Sequence, residues 1–272
     1  MTIPFVKYHG TGNDFILIDN RSEWFPEDHQ TLIANLCQRR FGIGADGLIC
    51  IRHHHEVAYK MVYFNADGRE GSMCGNGSRC AVAFAGKLGM IKGARLSFEA
   101  YDGIHEASIN TDSIAVQMAD VTAIERIGED FFIDTGSPHY IQFHHDIDQM
   151  DVESKGRSIR NSAPYAEKGV NVNFVELRDN QPHKLRTYER GVEAETYSCG
   201  TGAVAAAIAA EVIQKKAPQL NDISHQRLYA KGGELAVHFQ FLKNDTFSDV
   251  WLEGPVQEVF SGEAAYGVDD IN

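Results

Sequence analysis

Short runs of β-branched and aromatic residues, broken by Gly, Asn, Asp or Pro, recur along the whole chain. They fall at 3–10 (IPFVKYHG), 14–20 (DFILIDN), 56–65, 95–100, 113–118, 131–136, 140–145, 170–177, 184–190, 234–241 and 249–254, and each predicts a strand. Helical readings are fewer. Residues 27–40 form one, with Pro26 and Asp28 near its start and Gly42 past its end. Residues 79–88 and 203–216 form two more, both apolar nearly all round. The first stops at Gly89, and the second ends in Lys215 and Lys216, which suit the negative end of a helix dipole. Helices without a polar face are normally buried. The pattern predicts an α/β (α+β) fold of two halves, each a mostly antiparallel or mixed sheet wrapped around a central buried helix.

The two apolar helices share an approach. NADGREGSMCGNGSRC (65–80) leads into one and ERGVEAETYSCGTGA (189–203) into the other, so that Cys74 and Cys199 occupy matching C-G-x-G turns. Glu70 and Glu195 each lie four residues before their cysteine, and a strand precedes each block. This self-similarity indicates an ancient duplication with a boundary near residues 117–120. It divides the chain into 1–117, carrying Cys74, and 118–254, carrying Cys199. No flexible linker composition marks the boundary, so the halves are expected to pack closely.

A thiol at a helix N-terminus sits near unpaired backbone N–H groups and the positive end of the dipole, which favour thiolate. Glycines at 75, 77, 200 and 202 let the backbone turn tightly and bring those N–H groups close to a ligand. One such site suggests a cysteine hydrolase. Two related by duplication suggest a ligand held in a cleft between the halves, with one thiol on each face. That geometry removes a proton from one side of a carbon and returns one to the other. An α-amino acid fits, because its carboxylate accepts N–H bonds from both helix N-termini as enolate-like charge develops. The two thiols must then hold unlike protonation states, and no cofactor is required in principle.

Composition narrows the partners. A net charge of −13 argues against nucleic acid, so an anionic ligand must be attracted locally. Five cysteines without a secretory pattern at the N-terminus favour reduced thiols and a cytoplasmic address. Cys37, Cys50 and Cys80 are expected to be buried hydrophobes. No apolar run of membrane-spanning length occurs. His53–His55 read as a solvated turn rather than a metal site. GTGND (10–14) lacks the lysine and following helix of a phosphate loop.

HGTGNDF (9–15), NADG…MCGNGSRC (65–80) and YERG…SCGTGA (188–203) closely resemble, in order and spacing, the motifs of the diaminopimelate epimerase family. The resemblance covers essentially the whole chain. It implies two pseudo-symmetric halves, a last segment from about Pro255 returning to the first half, and a homodimer. It also implies conversion of L,L-diaminopimelate to the meso form, in lysine and peptidoglycan precursor synthesis, without pyridoxal phosphate or metal. Carried over position by position, Cys74 and Cys199 are the catalytic pair, with Cys74 taking the proton from the L,L substrate. Gly75, Asn76, Gly200 and Thr201 cradle the reacting carboxylate through backbone N–H groups. Asn13, Asn65 and Asn171 bind amines and carboxylates, Arg190 holds the distal carboxylate, and Glu189 and His139 influence the protonation of the thiols.

Three departures from the family pattern stand out. Ser137 replaces an Asn, Gly47 replaces a Gln, and the segment between Arg190 and Cys199 is one residue longer. The first two remove amides expected to touch substrate, so they bear on specificity at the distal end. Rival readings are a same-fold racemase of another amino acid, such as histidine or proline, and a non-catalytic module that binds a zwitterion.

Overall fold

The computed structural model describes residues 2–215, 219–243 and 245–266. The chain divides into two compact units, one formed by Met1–Val116 with Pro255–Asn272, the other by Gln117–Gly254.

The first unit contains β1 (Thr2–Gly10), β2 (Asn13–Asp19), α1 (Gln30–Cys37), β3 (Gly47–Arg52), β4 (Lys60–Asn65), α2 (Gly75–Lys87), β5 (Arg95–Ala100), β6 (Gly103–Ile109) and β7 (Ile114–Gln117). The second contains β8 (Ile124–Ile127), β9 (Asp130–Asp134), β10 (Pro138–Phe143), α3 (Val152–Arg160), β11 (Asn171–Glu176), β12 (His183–Glu189), β13 (Ala194–Thr196), α4 (Gly200–Gln214), β14 (Ile223–Ala230), β15 (Gly233–Phe241) and β16 (Phe247–Gly254). β17 (Gln257–Ala265) then adds to the first unit, antiparallel to β1.

The strand order is β17–β1–β2–β3–β4–β5–β6–β7 in the first unit and β8–β9–β10–β11–β12–β14–β15–β16 in the second. In both, the successive pairings run antiparallel twice, parallel, antiparallel, parallel, then antiparallel twice. The short β13, which pairs Glu195 with Tyr188, answers to a single bridge between Phe64 and Glu70. The duplication is therefore written in topology as well as in the cysteine turns.

Strand periodicity sorts each sheet's side chains between two faces. In the first unit Ile16, Ile18, Leu48, Cys50 and Phe64 pack with Leu32, Ile33 and Leu36 of α1. The opposite face, with Phe15 and Ile49, meets α2 so closely that a Cβ on Gly77 would stand 3.1 Å from Ile49 Cδ1. In the second unit Val172, Phe174 and Tyr188 pack with Val152 of α3, while α4 is buried from Gly202 to Val212.

The elements differ from the sequence reading at several places. The helix expected over 27–40 is confined to α1, because residues 26–29 form a turn and the His29 imidazole accepts the Leu32 N–H as a cap. Its other end stops where Gly42 folds back, a Cβ there being 2.0 Å from Asn35 O. Both cysteine helices begin earlier than periodicity suggested, since glycines carry no apolar signal. α4 ends at Gln214 with Lys215 as its cap, paired to Glu211 at 2.8 Å; Lys216 lies outside the described residues. α3 was not foreseen, being short and mostly polar; it is fixed by Asp151, which accepts the Ser154 N–H. β3, β6, β8, β13 and β14 were also missed.

Candidate active site

Cys74 and Cys199 are the N-caps of α2 and α4, and their backbones are superposable in kind: φ −117° and ψ 113° at both. Neither sulfur is consumed in capping its own helix. The chain is extended at the cysteine and helical one residue later, so each thiol stands at the mouth of a helix whose first N–H groups have no intrahelical acceptor.

Around Cys74, which is half-buried, the structure brings three expected residues together. Asn13 Oδ1 accepts from Asn76 Nδ2 at 3.2 Å and lies 3.9 Å from the Cys74 sulfur. The other end of the Asn13 amide donates to Asp46 at 2.8 Å. Asp46 is braced in turn by Arg39, which also engages Asp14. Burial opposes the charge on Asp14, but the bonds from Arg39 and Lys7 win and hold its carboxyl down at about 2. Beneath the turn lies a residue that sequence reasoning passed over. Arg79 is fully buried, donates to Asn76 Oδ1 at 2.9 Å and reaches Gly75 O at 3.4 Å. Desolvation lowers its pKa to about 10 against the pull of Cys80 and Cys74, so a buried cation sits under this thiol at neutral pH. Asn76 was expected to act through its backbone; its side chain also ties Asn13 to Arg79.

Asn65 closes β4 in an exposed position, its amide nitrogen 3.0 Å from where a Gly71 Cβ would stand. The Tyr63 ring, on the same face, is slotted between two glycines: a Cβ at Gly47 would come within 2.5 Å of it and one at Gly71 within 2.6 Å. Gly47 thus has a steric reason in this chain, because the phenol fills the space that a side chain at 47 would enter.

Cys199 is buried and has a different underlay. Its sulfur lies 3.6 Å from Thr201 Oγ1, and Thr201 Oγ1 is 2.9 Å from His139 Nε2. His139 is fully buried, and burial, with the charge of Arg190 adding to it, lowers its pKa to about 3. The imidazole is therefore neutral. Its Nδ1 meets Asn173 Nδ2 at 3.0 Å, and Asn173 Oδ1 accepts from Thr187 Oγ1 at 2.9 Å. Asn173 and Thr187 were missed; the one available signal is that Asn171 and Asn173 alternate within NVNF and so share a strand face.

Asn171 is largely committed to the fold, donating to Pro138 O at 3.2 Å and accepting the Arg190 N–H at 2.9 Å. Glu189 ends β12, and Arg190 follows with its guanidinium donating to Lys168 O at 3.0 Å. Gly200 and Thr201 open α4. Ser137 lends its carbonyl to the Thr135 N–H in the turn before β10. After Arg190 the chain makes a turn in which Glu193, at φ 57°, accepts from Tyr188 and Arg160.

The remaining thiols are of another kind. Cys37, Cys50 and Cys80 are buried, and desolvation raises all three, Cys37 to about 12. A cavity of about 320 Å³ in the second unit, with Arg178, His183, His225 and Arg227 in its wall, contains neither site cysteine. Its arginines are answered by Glu176 and Glu234, which leaves it little pull on an anion. Among the described residues no helix is long and apolar enough to cross a membrane.

The sequence profile of the family described as Diaminopimelate epimerase matches residues 5–124 and 131–241. Curated proteins of that name are similar throughout: one from Flavobacterium psychrophilum is 47% identical, covering 93% of this chain and 97% of its own. Another from Chlorobaculum tepidum is 41% identical, covering 93% and 98%. Among solved structures, a Bacillus anthracis phenazine biosynthesis protein of the PhzF family superposes with a TM-score of 0.77 at 14% identity, covering 98% of this chain and all of that one. A hydroxyproline epimerase from Agrobacterium vitis gives 0.69 at 13% identity, covering 97% and 92%. At such identities the two structures speak for the fold alone.

Proposed function

The chain belongs to the diaminopimelate epimerase family, and from that premise we propose that it interconverts L,L- and meso-diaminopimelate by a two-thiol proton transfer. The observation that carries the reading is the pair of helix-capping cysteines, with matched backbones, at the mouths of two buried helices. One thiolate removes the α-proton; the opposite thiol delivers its own proton to the other face of the carbon, and the two exchange roles in the reverse direction. The carboxylate accepts N–H bonds from Gly75, Asn76, Gly200 and Thr201, which stabilise the enolate-like charge. Asn13, Asn65 and Asn171 orient the amines and carboxylates. Arg190 takes the distal carboxylate, where a planar guanidinium binds two oxygens at once, and Glu189 and His139 tune the thiols. The working form is a cytoplasmic homodimer that needs neither pyridoxal phosphate nor a metal.

Proton NMR in deuterated water under reducing conditions tests this, with L,L-diaminopimelate, L-histidine, L-proline and L-lysine offered separately. Loss of the α-proton signal with formation of meso product from diaminopimelate alone is expected. Exchange with a different amino acid would move the substrate and point to Ser137 and Gly47. Cys74→Ala and Cys199→Ala should each collapse epimerisation. Near-normal turnover by both would end the two-thiol reading.

A further inference from the structure

The duplicated units differ most where they should be most alike. Register places Phe15 beside Gly47, and Ile49 opposite Tyr63, beneath α2. The same register places His139 beside Asn171, and Asn173 opposite Thr187, beneath α4. Phe15, Ile49 and Tyr63 thus answer to His139, Asn173 and Thr187. The helix glycines agree: a Cβ on Gly77 would meet Ile49 and Phe15, and one on Gly202 would meet Asn173 Oδ1 at 2.6 Å. An apolar and aromatic row in one unit has become a buried polar row in the other.

The direction of every hydrogen bond in that polar row follows from one carbonyl. Asn173 Nδ2 lies 3.3 Å from Tyr140 O, which can only accept, so the amide nitrogen must face it. That orientation turns Asn173 Oδ1 to the Thr187 hydroxyl and an N–H to His139 Nδ1. A neutral imidazole that accepts at Nδ1 carries its proton on Nε2. The Nε2–H therefore donates to Thr201 Oγ1, and the Thr201 proton is left for the sulfur of Cys199. Donors point the same way along the whole chain, from Thr187 through Asn173, His139 and Thr201 to Cys199.

We propose that Asn173 is a positioning residue which, by fixing the Nε2–H tautomer of His139, turns the Thr201 hydroxyl toward Cys199 and holds that sulfur ready as a thiolate. The proposal deepens the two-thiol reading and rests on it for its catalytic meaning. His139 is then no base: its low proton affinity keeps it a fixed, neutral donor. The first unit lacks such a row and carries a buried cation, Arg79, beneath its thiol instead. On strands that pack against α4, Asp134 ends β9, His139 lies on β10, and Glu189 ends β12 with Arg190 following it. Asp134 is turned to the Gly136 N–H, and Arg190 acts on His139 by opposing its protonation.

The test is the pH dependence of iodoacetamide alkylation at each cysteine of the full chain, read by mass spectrometry, for wild type, Asn173→Asp and Thr201→Val. An aspartate at 173 accepts where asparagine donates, reversing the tautomer and withdrawing the hydroxyl proton from Cys199. A lost hydrogen bond to a charged acceptor corresponds to about tenfold or more. Both variants should therefore slow Cys199 alkylation at pH 7 by about tenfold, with its midpoint moved up by about one pH unit, and leave Cys74 unchanged. Unchanged Cys199 kinetics in a folded Asn173→Asp variant would overturn the proposal. Nitrogen-15 shifts of His139 in the wild-type protein give a readout that needs no variant: protonated Nε2 is expected, and protonated Nδ1 would refute the relay. Neither measurement depends on turnover, so a failure of the diaminopimelate reading would show separately in the NMR exchange assay.

Discussion

His139 should make the protein acid-labile in a calculable way. The imidazole is fully buried, accepts at Nδ1 and donates at Nε2, and its pKa is held at about 3. In the unfolded chain it returns to about 6.5. Above that value both states are neutral and the whole contribution to stability is present. As pH falls below it the unfolded chain takes up a proton that the native protein refuses, so stability is lost until about pH 3. The slope for one proton is about 1.4 kcal/mol per pH unit, and between pH 7.5 and pH 5 the loss is about 2 kcal/mol. Burial also lowers His144, His183 and His225, which act with the same sign. The His139 share is isolated by comparing urea unfolding of wild type and His139→Gln between pH 7.5 and 5. The variant should lose about 2 kcal/mol less. The assay is paired with a proton NMR titration, in which the His139 ring signal should stay flat to pH 4.5. Parallel stability curves, or a ring that titrates above pH 5, would refute the buried neutral imidazole.

Three further outcomes follow from contacts beneath the helices. Gly202→Ala drives a Cβ to 2.6 Å from Asn173 Oδ1 and 3.3 Å from the Cys199 sulfur, which should cost about 1–3 kcal/mol in urea unfolding and slow epimerisation. Gly77→Ala meets only the tips of Ile49 and Phe15, at 3.1 and 3.4 Å, and should cost under about 1 kcal/mol; equal costs would mean that the two rows give way alike. Arg79→Met removes the buried cation under Cys74 and should slow alkylation of Cys74 at pH 7 by about tenfold, with Cys199 unaffected.

Much of this architecture was legible in the chain because the duplicated turns carry a strong local signal. C-G-x-G before an apolar run marked both cysteines, both buried helices and the two-part organisation. Asn13 was recognisable through its motif, and it does meet Cys74 and Asn76. What stayed hidden has physical reasons. β3 (GLICIR) is buried along almost its whole length, so it shows no alternation, and α3 is too polar to stand out. Arg79 reads as an ordinary charged residue until the structure shows it fully enclosed. Asn173 lies in a buried strand, where only register reveals that it faces His139 rather than the core on the other side. Buried polar groups are set by three-dimensional partners, and one-dimensional periodicity does not encode those partners.

The two rows beneath the helices also explain why neither can drift toward the other by single steps. Asn173→Ile would copy the first unit's Ile49 but leave His139 Nδ1 and the Thr187 hydroxyl buried without their present partner. Each orphaned group costs about 1–3 kcal/mol. His139→Phe, copying Phe15, would likewise take from the Asn173 amide and from Thr201 Oγ1 the bond each makes to the imidazole. Made together, the two changes remove both ends of the Asn173–His139 bond, so the penalty for that bond is counted once rather than twice. The double variant should therefore be more stable than the sum of the singles predicts, by about 1–3 kcal/mol. Urea unfolding of the four proteins at pH 7.5 measures this directly. Additivity within about 0.5 kcal/mol would mean that the polar row is a set of independent contacts and that its alignment toward Cys199 is incidental.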